Sequence, residues 1–216
     1  MEDTEFEIAA ICGSLRVGAY TRALLDAAIE VAPPSQRITV HEIGDLPLYD
    51  ASRDEAYGGT DTPAPVTRLR EAVSRADALL LGVTEYNWGP SAPLKNAIDW
   101  LSRPLEGGSL GHKPIGMIGA SPGPAGTGRA QLQLRQNLHF TRALTMPFPL
   151  IQIGNAVEVF DDDQRLADPT WRGELANFLA SLGHWTRAID GFGLHTEGAG
   201  SEGPRESSST DGPTRS

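Results

Sequence analysis

One cysteine, Cys12, is all that the 216 residues contain. An intrachain disulfide, a Cys-x-x-Cys redox pair and a cysteine-based metal site are therefore excluded within one chain. Cys12 ends the apolar run Ile8-Ala9-Ala10-Ile11, where a thiol behaves as a small buried hydrophobe. Positive charge is scarce: 18 Lys and Arg stand against 28 Asp and Glu, a net charge of −10. That balance excludes general nucleic-acid binding, which needs a basic face, but not a phosphate held in a local pocket. No apolar run nears the roughly 20 residues of a membrane span. The opening Met-Glu-Asp-Thr-Glu carries the wrong charge for a signal peptide, so a cytoplasmic protein is expected. His41, His112, His139, His184 and His195 are scattered, and no acid–base pair or metal-ligand spacing emerges. No catalytic residue and no metal site is assigned.

What is present is a series of short apolar segments. Residues 6–12, 37–43, 78–83, 114–120 and 149–153 each read as a buried strand. Helical periods lie between them. Leu24, Leu25, Ala28, Ile29 and Ala32 form an apolar stripe along residues 20–32, and 64–75, 91–101, 127–141 and 169–189 are patterned alike. The βα alternation predicts an α/β fold, a five-stranded parallel sheet covered by helices on both faces. With 39% hydrophobic and 21% charged residues, 1–196 suits one domain. Residues 197–216 are nearly all Gly, Ser, Thr, Pro and charge, and are expected to be a disordered tail. Residues 44–65, broken up by Gly44, Pro47, Gly58, Gly59 and Pro63, read as a long surface loop, functional or mobile.

Three of the loops after strands have ligand-binding character. The first, Gly13-Ser14-Leu15-Arg16-Val17-Gly18-Ala19-Tyr20-Thr21, leads from a strand to a helix start. Backbone N–H groups and the helix dipole favour an anion there, and Arg16 adds a guanidinium fork. The loop has neither a Gly-Lys-Ser/Thr ending nor Gly-x-Gly-x-x-Gly, so a monophosphate fits better than a triphosphate or pyrophosphate. A helix simply capped by Thr21 or Ser14 would look the same in sequence. The second, Thr84-Glu85-Tyr86-Asn87-Trp88-Gly89-Pro90, joins two aromatics, an amide and a glycine, which suit a planar heterocycle. Those aromatics would equally suit a subunit contact. Lys95 and Asp99, four apart on the following helix, read as a solvated ion pair. The third loop, 119–128, holds four glycines and two prolines after the fourth strand, and lets backbone approach a ligand. Loops after strands one, three and four converge where a flavodoxin-order sheet reverses its strand order. A phosphate seat, an aromatic wall and a glycine-rich wall together describe FMN.

The sequence resembles the NADPH-dependent FMN reductase family, which includes bacterial chromate and quinone reductases. Carrying the resemblance are Gly13-Ser14-Leu15-Arg16, Glu85-Tyr86-Asn87, the block from Leu94-Lys95-Asn96 to Ser102-Arg103-Pro104, and Arg129-Ala130-Gln131 with Leu134-Arg135. The resemblance implies a flavodoxin-like three-layer sandwich. It also implies an enzyme passing electrons from NADPH or NADH, through bound FMN, to a quinone, nitro or azo compound, chromate or free flavin. A flavodoxin-like electron carrier, or a flavin-binding regulatory protein without NADPH turnover, is the alternative. By position, Ser14, Arg16, Ala19, Tyr20 and Thr21 would seat the phosphate; Glu85, Tyr86, Asn87, Trp88 and Gly89 would border the ring, and Ser121 would add a contact. A homodimer or homotetramer is implied as well. The family usually has Ser-Phe/Tyr-Asn where this chain has Ala19-Tyr20-Thr21, so one hydroxyl is missing. A hydrogen bond to a charged group contributes about 1.5–3 kcal/mol, or roughly one to two decades in affinity.

Overall fold

A computed structural model describes residues 6–105 and 108–192. Among the described residues, eight strands and six α-helices follow one another. They are β1 (Phe6–Cys12), α1 (Tyr20–Val31), β2 (Gln36–His41), α2 (Ala64–Arg75), β3 (Ala78–Gly82), β4 (Glu85–Tyr86), β5 (Gly89–Pro90) and α3 (Ala92–Leu101). Then come β6 (Pro114–Ala120), α4 (Gly128–Phe140), β7 (Leu144–Thr145), β8 (Ile151–Ile153), α5 (Ala156–Val159) and α6 (Pro169–Gly191). The tail expected at 197–216 lies outside the described residues.

The central sheet is parallel throughout and ordered β2-β1-β3-β6, with β7 and β8 both on the far edge of β6. Its strands are apolar on both sides, as a sheet covered on both faces requires. Alternate residues divide between two cores. Ile8, Ala10, Cys12, Ala78, Leu80, Ile118 and Ala120 face α1 and α6, and Ala9, Ile11, Leu79, Leu81, Ile115 and Met117 face α2, α3 and α4. The three-layer sandwich and its five strand positions thus agree with the sequence reading. Two details differ. The fifth position is filled in two pieces: Leu144 and Thr145 pair with Pro114 and Ile115, whereas Ile151–Ile153 pairs with Ile118–Ala120. Pro147 and Pro149 lie between the pieces and have no N–H to give a ladder, which confines the second piece to three residues. The second difference is the small antiparallel pair β4–β5, which the sequence reading had as loop.

Residues 44–65 cross the surface of α2 and α3 with one 3-10 turn, Glu55–Tyr57. They are fastened from beneath by polar groups. Asp54, fully buried, accepts from both terminal nitrogens of Arg70 at 2.9 and 2.7 Å and from the Ala56 amide at 3.2 Å. Arg70 reaches onward to the Trp100 carbonyl, and the Trp100 indole N–H and the Asn96 amide both donate to the Pro47 carbonyl. Burial alone would raise the Asp54 pKa; the Arg70 fork and the Ala56 amide outweigh it and hold the carboxyl below its ordinary range.

Replacing Asp54 with Asn leaves a half-buried guanidinium without its counter-ion, and is expected to cost about 3–5 kcal/mol in urea unfolding at pH 7. Because the folded pKa is depressed, this contribution is present above the unfolded carboxylate value of about 3.9 and is lost as pH falls through the lower folded value. The gap between wild type and Asp54→Asn should therefore begin to narrow below about pH 4 and close once the pH has fallen through the lower folded value. A gap that persists there would remove the ion pair as its cause.

Candidate flavin site at the strand switch point

The strand order reverses between β1 and β3. From β1 the chain moves to β2 on one side; from β3 it moves on to β6 on the other. Loops leaving β1 and β3 consequently part at the carboxyl edge and leave a crevice. The strand ends beneath it are pressed together. The Gly13 amide donates to the Gly82 carbonyl at 2.8 Å, and a Cβ on Gly13 would stand 2.8 Å from that same oxygen. Ser91, buried at the start of α3, donates its hydroxyl to the Gly13 carbonyl and its amide to Thr84.

Within the first loop, Ser14 is half-buried and its Oγ accepts from the Arg16 amide at 3.3 Å; Arg16 is exposed. Gly18 turns the chain at φ +68°. Ala19 is the buried N-cap of α1 and provides no side-chain cap. The first-turn amides of Tyr20 and Thr21 have no acceptor within the helix. The Tyr20 ring lies 5.3 Å from that of Phe160. Thr21 points inward: its hydroxyl, 2% exposed, donates to the Val83 carbonyl at 3.5 Å and accepts from Thr84 at 3.1 Å. Its backbone amide, rather than its hydroxyl, belongs to the loop's donor set. The Cys12 thiol just below is pushed up in pKa by burial, and it donates to the Ser14 carbonyl at 3.4 Å.

The second loop is a two-residue hairpin. Asn87 and Trp88 both have positive φ, +51° and +68°, the requirement of a type I′ turn. Asn tolerates that conformation; a tryptophan there is held by its surroundings. Arg129 lies 4.5 Å over the Trp88 ring, and Gln133 donates to the Trp88 carbonyl at 2.8 Å. The Glu85 carboxylate, nearly buried, accepts from the Ala130 amide at 3.0 Å and from Arg129 at 3.4 Å. It thereby caps α4 from another element, since Thr127 at the N-cap makes no side-chain cap. Tyr86 and Trp88 remain 54% and 68% exposed, two large rings on the hairpin that follows β3. Gly89 sits against Gln133.

The third loop leaves β6 at Ser121, whose Oγ accepts from the Gly123 amide at 3.2 Å. Gly126, at φ +59°, lies so close to Gln152 that a Cβ would be 2.6 Å from its carbonyl. The structure thus brings the loops carrying Ser14 and Arg16, Glu85 to Gly89, and Ser121 to one edge of the sheet. Gln133 was not singled out from sequence, and the sequence assigned no contact to Ser91 or Thr84, since each acts by reaching a carbonyl or hydroxyl on a distant segment. Lys95 and Asp99 do form the expected ion pair, at 2.6 Å. Among the described residues no group of three or more His, Cys, Asp or Glu is placed to hold a metal ion, and no helix is long and apolar enough to cross a membrane.

Residues 6–158 match the family described as NADPH-dependent FMN reductase. The chain belongs to that family. An NAD(P)H-dependent FMN reductase of Pseudomonas aeruginosa is 40% identical over 187 residues, 87% of this chain and 98% of its own. A quinone reductase of Pseudomonas putida is 36% identical over 182 residues, 84% of this chain and 95% of its own. Among solved structures, the flavoenzyme NAD(P)H:(acceptor) oxidoreductase FerB of Paracoccus denitrificans superposes with a TM-score of 0.75 at 30% identity, covering 85% of this chain and 98% of FerB.

Glu85→Ala removes the cap of α4 and one anchor of the hairpin together. Thermal unfolding should show a loss of about 1–2 kcal/mol, with Glu85→Asp recovering part of it. An unchanged melting temperature would mean that the carboxylate does not hold the two elements together.

Proposed function

We propose that this chain is an FMN-dependent oxidoreductase that passes electrons from NAD(P)H, through bound FMN, to a small acceptor of the quinone type. The reading is supported most directly by the meeting of an uncapped helix start, an aromatic hairpin and a glycine-rich loop at the switch point. The activities for which its relatives are named point the same way. The residues fit the cofactor. The loop's free amides at Tyr20 and Thr21, the Ser14 hydroxyl and the Arg16 guanidinium are all donors, as a dianionic phosphate demands. Glu85 to Gly89 border the ring through backbone and through the two exposed aromatics, and Ser121 closes the third side.

FMN, held by the first loop and the aromatic hairpin, would supply the hydride and electron-transfer chemistry when bound. This chain's own residues bind, orient and shield. The first loop anchors one end of the cofactor by charge-assisted hydrogen bonds. Tyr86 and Trp88 offer aromatic faces that exclude water while leaving room for flat substrates to enter in turn. No side chain acts as a fixed proton donor, which suits a site open to acceptors of several shapes. The protein works as a homodimer, and by family pairs further into a homotetramer. Supporting this are Leu132 and Phe140, both exposed on α4, with Trp88 exposed on the hairpin that Gln133 of α4 holds. The cytoplasm, where NAD(P)H is made, is its proposed location.

The test is an absorbance spectrum after FMN is added and excess removed, followed by anaerobic NADPH titration and re-oxidation by a quinone. Retained flavin bands that bleach with NADPH and return with quinone are expected. Bound flavin untouched by NADPH would mark an electron carrier instead, and no retained flavin would overturn the cofactor assignment. Ala19→Ser adds a hydroxyl at the uncapped helix start and should tighten FMN about tenfold while leaving riboflavin, which lacks the phosphate, unchanged. Equal effects on both flavins would place the phosphate elsewhere.

A further inference from the structure

The family match ends at residue 158, yet the chain just beyond it returns to the first loop. After α5, Phe160 and Leu166 pair across a small closed turn. The Asp161 amide donates to the Arg165 carbonyl at 3.0 Å, and the Gln164 amide to the Asp161 carbonyl at 2.9 Å. The Arg165 amide donates to Asp161 Oδ1 at 2.8 Å. Buried Phe160 and Leu166 anchor the base of the turn, and Asp168 follows at once as the cap of α6. The turn is therefore rigid through its own bonds.

Two of its side chains meet the first loop. Phe160 lies against Tyr20. The Gln164 carboxamide occupies the space where Gly18 would carry a side chain: a Cβ there would stand 2.7 Å from Nε2 and 3.1 Å from Oε1. Gly18 and Tyr20 flank Ala19, the position that offers α1 no side-chain cap. The bend into α1 is thus held by a distant segment on both sides of the residue that cannot hold it locally. Asp161, Asp162 and Asp163 make this turn a poor direct ligand for an anion. The group it puts forward is a neutral amide, and that amide abuts backbone.

We propose that the Asp161–Arg165 turn is a positioning clamp for the phosphate loop, with Gln164, braced on Gly18, as the positioning residue that sets the phosphate-dependent part of flavin affinity. The proposal rests on the FMN reading above. Holding the loop's amides in place before the ligand arrives lowers the ordering cost of binding, so the clamp acts on affinity without touching the ligand.

Dissociation constants for FMN and for riboflavin, measured by flavin fluorescence quenching on the full chain, separate the possibilities. Wild type, Gln164→Ala and Gln164→Glu are compared, with apoprotein melting temperatures alongside. Gln164 is exposed, so the melting temperatures should not move. Gln164→Ala should weaken FMN about tenfold and leave riboflavin unchanged. Gln164→Glu should weaken FMN further at low salt and recover part of the loss as ionic strength rises. An FMN constant unchanged in Gln164→Ala overturns the clamp whatever Gln164→Glu does. So does an equal loss for both flavins, which would make Gln164 a general structural contact. A wild type that binds neither flavin overturns the functional reading, and the clamp with it.

Discussion

Gly13 has no room for a side chain because the carboxyl ends of β1 and β3 meet there, with the Gly82 carbonyl 2.8 Å from where a Cβ would sit. This close approach is the constraint on which the site depends. It joins the two strands at the point where the strand order reverses, so the loops that leave them start from a common base and then part. The surrounding bonds are arranged about it. Ser91 ties the start of α3 to the Gly13 carbonyl, and Thr84 ties the end of β3 to Thr21 at the start of α1. Three elements that converge on the crevice are thereby fixed to one another by short polar contacts in a buried setting, where hydrogen bonds are strongest.

The aromatic hairpin depends on that base for its position and on α4 for its shape. A type I′ turn with tryptophan at its second centre is locally unfavourable, since β-carbon sterics disfavour positive φ. It persists because Arg129, Gln133 and the Ala130 amide grip it from one helix. Glu85 is central to both partners, as the carboxylate that satisfies the start of α4 also fastens the strand leading into the turn. The carboxylate of Glu85, a residue expected from the sequence to border a ring, is instead engaged by the Ala130 amide and Arg129.

Much of this architecture was legible in the sequence. Strands buried on both faces leave unbroken apolar runs, and helices on a parallel sheet leave an amphipathic period; both survive without knowledge of partners. That the loops carrying Ser14, Arg16, Tyr86 and Trp88 follow strands was legible for the same reason, being set by position in the βα alternation. What escaped was whatever joins distant residues. Nothing in the sequence near Asp54 announces Arg70, nor near Gly18 announces Gln164. The inward turn of Thr21 was hidden because a threonine at a helix start serves equally as a cap, a ligand donor or a core hydroxyl. The break in the fifth strand was written in Pro147 and Pro149, but its first piece, Leu144 and Thr145, is too short to show a period.

That break has a bearing on how copies of the chain can associate. The outer edge beyond β6 is two short segments separated by prolines, so it presents no continuous row of free N–H and C=O groups. A long straight edge would invite another strand to add to it, and with it uncontrolled growth of the sheet. Here the edge is blunted by its own covalent structure. Strand addition at this edge is thereby disfavoured.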